Sequence, residues 1–321
     1  MLTRICVLLL CLPVLAQNSD SPNQEARTQA AASLRALIEA APKLPFSASE
    51  LIVQPPKADW ETGMVSWIAL DGKGTLYLLQ RGEKADPVLV VDREGHLLRS
   101  WGKGMYKVPH SLRIDPQGNV WTVDASSSVV LKYSPLGEKL MEIDVGEQPE
   151  NSPNAFKGTT DIAFGPNGRL FITDGYGNSR IVEYTAEGKR IREWGSAGTG
   201  TGQFHLPHSI VIDEDGIIYV ADRENGRIQR FDLEGKYIGE FANLGRTYSL
   251  KLSGGALWAG MQPLNEPTGA PGWLVKLDRK TGKILGYVEV SDRGGLHSVE
   301  VSATGEPITS LGNHVEWFKA R

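Results

Sequence analysis

Short apolar runs recur along most of the chain, each closed by a turn that ends in glycine. The clearest run is Val220-Ala221-Asp222, which passes an acidic-basic corner and Gly226 into Ile228 to Phe231. The same plan precedes it as Ile172-Thr173-Asp174 leading to Ile181 to Tyr184, and a weaker copy joins Thr122-Val123-Asp124 to Val129 through Tyr133. Runs of this length, rich in Val, Ile, Leu, Tyr and Trp and bounded by turn residues, predict strands. Repetition at a period of a few tens of residues predicts a repeat architecture.

From Val65 to the C terminus the first hairpin of each unit carries a marker glycine: Gly74, Gly118, Gly168, Gly216, Gly255 and Gly305. They lie 39 to 50 residues apart. Four short strands in a unit of that length describe a propeller blade. Six markers predict an all-β, six-bladed β-propeller. The unit after Gly305 lacks an outer strand, and Leu51-Ile52-Val53 is the predicted replacement. Closing the ring in this way removes two open sheet edges. A repeat array that does not close is the competing architecture. Upstream, Ser21 to Ala41 reads as a helix between Pro22 and Pro42, with Leu34, Leu37, Ile38 and Ala41 on one face. The helix is expected on the outside of the domain or loosely tethered to it. Gly195 to Gly202 reads as a long flexible link between the third and fourth blades.

Composition changes the picture at two points. Of 321 residues, 40% are hydrophobic, enough for a sizeable core, and a net charge of −4 without a basic stripe argues against nucleic acid as a partner. The first residues read as a signal peptide. Arg4 precedes the apolar run Ile5 to Leu15, which is short for a membrane span, and Val14 and Ala16 are small at −3 and −1 to a cut before Gln17. A membrane anchor is the competing reading, and a lipoprotein cut before Cys11 is disfavoured by bulky Leu10. The expected division is 1–16 signal peptide, 17–48 helix and linker, and 49–321 propeller, in a secreted or periplasmic monomer. Both cysteines, Cys6 and Cys11, fall in the leader, so the mature chain would have neither thiol nor disulfide.

The chemistry lies in register with the glycines. His110, His208 and His297 each stand eight residues ahead of a marker, in blades two, four and six. Ser66, Thr160 and Thr247 hold that position in the other three. The first strand of a blade is innermost, so alternate blades are related by a threefold pseudo-axis and three imidazoles converge on one point. Three histidines with an open fourth position are a catalytic zinc arrangement. Copper or iron would also accept them, and three channel histidines bonded to water or backbone are the metal-free alternative. Asp124, Asp174 and Asp222, six past the marker, read as turn-bonding groups. One place later come Arg81 and Arg223, facing the same mouth or, for Arg223 with Glu224 beside it, forming a surface ion pair. Tyr176 occupies the equivalent corner of blade three. A tyrosine near a metal and an arginine is a candidate general base; alone it would be a packed aromatic. His96, His205 and His314 follow no such rule, and no Walker loop or nucleophile elbow is present.

Asp174 to Val182, Gly202-Gln203-Phe204 with Pro207-His208-Ser209, and Ala221 to Phe231 together resemble the peptidyl-α-hydroxyglycine α-amidating lyases, six-bladed NHL-repeat propellers. The resemblance runs from about Val65 to the C terminus. It implies His110, His208 and His297 as zinc ligands, Tyr176 as the catalytic tyrosine, Arg223 beside the reacting hydroxyl and Arg81 as another active-site arginine. It also implies a structural calcium held by the backbone carbonyls of Ile68 and Leu112. The family's calcium-binding Asp is Ser298 here, so that set is incomplete unless a water replaces a ligand. Gly177 and Tyr219 stand where vertebrate relatives carry a disulfide. The implied reaction splits a peptidyl-α-hydroxyglycine, or a related carbinolamide, into an amide and glyoxylate, on a small-molecule or peptide substrate in the channel. Competing functions are a non-catalytic NHL scaffold that binds protein, peptide or glycan, and a metal-dependent lyase or lactonase of another small substrate.

Overall fold

The computed structural model describes residues 24–146, 156–290 and 296–321. Six four-stranded antiparallel sheets surround an axis. Their inner strands are Val65–Leu70, Pro109–Ile114, Asp161–Phe164, Pro207–Ile212, Arg246–Ser253 and Val299–Val301. Each adjoins the next, and the sixth adjoins the first, so the ring is closed. The sixth sheet takes its outer strand from upstream: Phe46–Leu51 pairs antiparallel with His314–Ala320. That strand ends where the sequence placed its start. Ile52 and Val53 lie beyond it, with Val53 buried against blades one and six. The propeller therefore begins ahead of residue 49.

Alternation along the strands explains how the blades stack. Successive side chains of a strand point to opposite faces, so each blade fills two cores, one with each neighbour. In Leu170–Asp174, Leu170 and Ile172 pack toward blade two while Phe171 packs toward blade four. Phe171 is fully buried, worth about 2–3 kcal/mol against exposure. Six such clusters, one per pair of adjoining blades, make up most of the apolar interior.

The hairpin glycines are required by backbone geometry. Asp115 Oδ1 accepts from the amides of Gln117 and Asn119, and Gly118 completes that turn at φ 85°. Such a turn needs a left-handed residue, which glycine supplies without a Cβ clash. Blade five differs. Gly254 and Gly255 both have positive φ, and Ser253 pairs directly with Ala256, a tight two-residue hairpin. The shorter turn shifts the register of that inner strand by one residue.

The helix α1 spans Gln24–Glu39 among the described residues, ending two residues before the expected Ala41; the expected start at Ser21 lies outside the described residues. Leu34 and Ile38 are buried in the core between blades four and five, whereas Leu37 is 43% exposed. The helix is thus docked rather than loosely tethered. The Gly195–Gly202 segment is also held. Ser196–Ala197 pairs parallel with Gln203–Phe204, and Arg227 donates to the Gly200 carbonyl. These bonds make the loop a built wall rather than a flexible link. Among the described residues no helix is long and apolar enough to cross a membrane. The expected leader and its two cysteines lie outside the described residues.

Candidate metal centre

Three imidazoles meet on the axis. Metal-competent nitrogens of His110, His208 and His297 lie within 4.8 Å of one another, and the ring centroids are 4.6–4.9 Å apart. Each ring is oriented by the blade that follows it. His110 Nδ1 is 2.6 Å from the Thr160 carbonyl, His208 Nδ1 is 2.5 Å from that of Tyr248, and His297 Nδ1 is 2.7 Å from that of Ser66. A carbonyl only accepts, so each Nδ1 carries the hydrogen and each Nε2 keeps its lone pair. The acceptors come from blades three, five and one. In blade five the acceptor is Tyr248, the bulged residue between Thr247 and Ser249, and not the expected Thr247. The tight Gly254-Gly255 hairpin is the reason.

Burial holds all three imidazoles neutral. His110 and His208 are pushed well below the usual histidine value, by burial first and then by the neighbouring positive charges. His297 is pushed down to about 3 by burial and Arg81. Neutral histidine is the form that binds metal. One phenolic hydrogen, that of Tyr176, faces this cluster; its hydroxyl is 3.2 Å from His110 Nε2 and 3.3 Å from His208 Nε2. Among the described residues that single hydrogen is the donor in reach, it cannot serve three converging lone pairs, and buried acceptors left unpaired are costly. A divalent cation would satisfy them together. The donor set therefore fits an imidazole-binding metal.

The two arginines flank Tyr176 on different sides. The Arg223 guanidinium lies 5.9 Å from the Tyr176 ring and 5.2 Å from that of Tyr248. Burial works against its charge, but Tyr176, Glu224 and Tyr248 outweigh that and hold its pKa above the usual value. Arg223 is buried and pairs with Glu224 at 2.9 Å, so the pair is not a surface one. Arg81 donates through Nε to the Pro109 carbonyl and stacks 5.6 Å from the Phe156 ring, which in turn touches Tyr176. Burial pushes its pKa down, and its buried Nη2 has no hydrogen-bond partner among the described residues. An orphaned cationic donor at this mouth suits an anionic ligand.

The aspartates do what a turn needs. Asp124 Oδ1 accepts from the amides of Ser126 and Ser127, and its Oδ2 from those of Lys107 and Val108. Asp222 Oδ1 accepts from the His205 amide, which ties the loop ahead of His208 to the corner that carries Arg223. His96 is an exposed partner of Asp92, and His314 starts the third strand of the sixth sheet, away from the axis.

Directly below the histidines the axis is occupied, and beyond Arg113 it opens into a cavity lined by Ile114, Ile162, Ile210, Lys251 and Glu300. Trp67 is fully buried, its ring 5.8 Å from that of His297. Arg113 lies beneath, 4.8 Å from the Trp67 ring. It donates to Asp161 as a two-bond fork, and to Ser209 Oγ and the Leu250 carbonyl. Leu250 stands in blade five where Ile68 and Leu112 stand in blades one and two, two residues past the histidine position. Ser298 is bonded to Ser310. The residues here do not fit the implied calcium. The level of Ile68 and Leu112 already contains a full positive charge, neutralised by Asp161, and the family's acidic ligand is absent. Sequence reading missed this floor, although an arginine and an aspartate on inner strands of adjoining blades were visible.

One glycine is needed for the geometry. A Cβ on Gly175 would stand 2.1 Å from the Pro207 carbonyl oxygen, which the Thr160 hydroxyl also holds. Gly175 precedes Tyr176, and Pro207 precedes His208. Gly175→Ala is expected to lower stability by about 1–3 kcal/mol through overpacking and to weaken metal binding, as measured by denaturant unfolding and metal titration.

A 6-bladed beta-propeller family model, DUF5128, matches residues 154–289. The chain is 36% identical over 205 residues to mouse peptidyl-glycine alpha-amidating monooxygenase, a match covering 54% of this chain and 21% of that protein. It is 35% identical over 149 residues to the probable peptidyl-alpha-hydroxyglycine alpha-amidating lyase of Caenorhabditis elegans, covering 45% and 42%. It is 30% identical over 202 residues to mouse NHL repeat-containing protein 3, covering 59% and 58%. The chain thus spans about a fifth of the monooxygenase and roughly half of the other two relatives.

Proposed function

We propose that this six-bladed propeller, with its relatives among hydroxyglycine amidating lyases and NHL-repeat proteins, is an exported zinc-dependent carbon–nitrogen lyase. Its substrate is a peptidyl-α-hydroxyglycine or a related carbinolamide, and its products are an amide and glyoxylate. The observation that carries this reading is the Tyr176 hydroxyl within 3.3 Å of two of three converging, neutral imidazoles. A scaffold protein has no need of such a buried cluster at the axis.

His110, His208 and His297 would hold the ion through Nε2, and the Tyr176 hydroxyl lies beside those nitrogens. A bound zinc ion supplies Lewis acidity toward the substrate's hydroxyl or carboxylate oxygen. Tyr176, as phenolate, accepts the hydroxyl proton. The O–H electron pair becomes the second bond of the aldehyde, and the C–N bond breaks. Its electron pair goes to the amide nitrogen, which takes one proton, so Tyr176 can return to phenolate by donating the one it received. Arg223 and the Arg81 Nη2, which has no partner among the described residues, hold the carboxylate. Tyr248 is a poorer candidate for the base, because its hydroxyl is committed to Gln262 at 2.9 Å.

Metal analysis paired with a glyoxylate assay tests the reading. Purified protein is expected to hold one zinc per chain. Glyoxylate release from an N-acyl-α-hydroxyglycine should disappear on chelation and return on adding zinc. Full activity in metal-free protein would rule the mechanism out. A metal-free protein inactive on every carbinolamide tried would favour the NHL scaffold reading.

A further inference from the structure

We propose that Arg27, on helix α1, and Arg246 clamp Glu224 and thereby position Arg223, so that the N-terminal helix is a working part of the site. The proposal rests on reading Arg223 as a substrate-binding group. It concerns residues that lie outside the histidine register.

Glu224 is the hub. Its Oε1 accepts from Arg223 Nε and Arg246 Nε, both at 2.9 Å. Its Oε2 accepts from Arg246 Nη2 at 3.1 Å and from Arg27 Nη2 at 3.2 Å. The fork from Arg246 fixes the carboxylate plane, because two parallel bonds remove its rotation. Arg27 caps the remaining direction. Both outer arginines are tied down elsewhere: Arg27 to the Leu264 carbonyl at 3.0 Å and Arg246 to the Glu266 carbonyl at 2.9 Å. Arg27 is carried there by its helix, whose Leu34 and Ile38 are buried between blades four and five. Three elements far apart in sequence therefore converge on one carboxylate.

Arg223 gains direction from this arrangement. It sits in a short 3-10 turn, Arg223–Asn225, whose amides are held by the carbonyls of Leu206 and His205. With Nε held by Glu224, the guanidinium is fixed between the Tyr176 and Tyr248 rings. Among the described residues its terminal nitrogens donate to no protein acceptor, so they are available to a ligand. One carboxylate against three guanidiniums leaves the cluster net positive, and of the three it is Arg223 that lies against the Tyr176 ring. Its buried charge favours an anionic substrate at that spot. Glu224 is held down to about 2, burial being outweighed by Arg223, Arg246 and Arg27, so it remains a carboxylate throughout the working range.

The test uses the zinc-loaded full chain and the variants Arg27→Ala, Arg27→Lys and Glu224→Gln. Substrate kinetics and zinc content are measured with the ¹⁵N-arginine Nε–H signal of Arg223, assigned by its loss in Arg223→Lys. Arg27→Ala should raise KM about tenfold with kcat within about twofold, since a carboxylate-holding group contributes binding shared by ground and transition states. Its zinc content should not change, and the Arg223 Nε–H should exchange faster with solvent. Lysine at 27 should recover part of the KM, and Glu224→Gln should raise it about a hundredfold. Unchanged KM and unchanged Nε–H exchange in Arg27→Ala would overturn the clamp. Should the unaltered protein release no glyoxylate, the proposed reaction fails, and the Nε–H exchange still decides the clamp.

Discussion

Tyr176→Phe is expected to lower glyoxylate release about a thousandfold while zinc content and melting temperature stay near those of the unaltered protein. The variant removes one oxygen. The ring keeps its packing against Ala125, Leu206, Val108 and Phe156, so the wall of the site survives. The three imidazoles keep their Nδ1 bonds to Thr160, Tyr248 and Ser66, none of which involves Tyr176. What disappears is the hydroxyl beside His110 and His208 Nε2, the group proposed to take the substrate's proton. A positioned general base contributes about 10²–10⁴ in rate, and no other hydroxyl at this mouth can replace it, since Tyr248 is tied to Gln262. The measurement is single-turnover glyoxylate formation with zinc content determined on the same sample. Retention of more than a tenth of the rate would remove Tyr176 from the chemistry.

His208→Ala carries the second large effect. His208 is fully buried, its ring 4.9 Å from each of the other two and 6.0 Å from Tyr176. Its loss leaves two ligands and a cavity open to the axis. Tight zinc binding should disappear, and turnover should fall below about one part in ten thousand, because the lost Lewis acid and the widened site act together. Stability should respond in a distinctive way. An ion that binds the native state raises its melting temperature by mass action, so added zinc should raise that of the unaltered protein and leave that of His208→Ala unmoved. A variant that still answers to zinc with a full shift would mean that the three nitrogens do not act as one site.

Much of the architecture is readable from the chain because its causes are local. A left-handed glycine closes each first hairpin, and period-two alternation tells which residues enter a core. Counting from those glycines was enough to bring His110, His208 and His297 to one level, since equal offsets in equivalent blades mean equal positions around an axis. The count failed in blade five, where two glycines in a shorter turn moved the register from Thr247 to Tyr248. The closing strand was also misplaced, since the expected Leu51 to Val53 shares a single residue with the observed Phe46–Leu51.

The repeat, the strand content and the identity of the converging imidazoles follow from residues a turn or a strand apart and are legible along the chain. What surrounds the imidazoles comes from long-range packing. The carbonyl that orients each histidine belongs to the next blade, 50 residues away for His110, 40 for His208 and 231 for His297. Arg113 and Trp67 occupy the level that the resemblance assigned to calcium. Arg27 reaches Glu224 from a helix whose pattern spoke only of one apolar face. Such pairings arise from which surfaces meet once the ring has closed, and no spacing along the chain encodes a contact between side chains that distant.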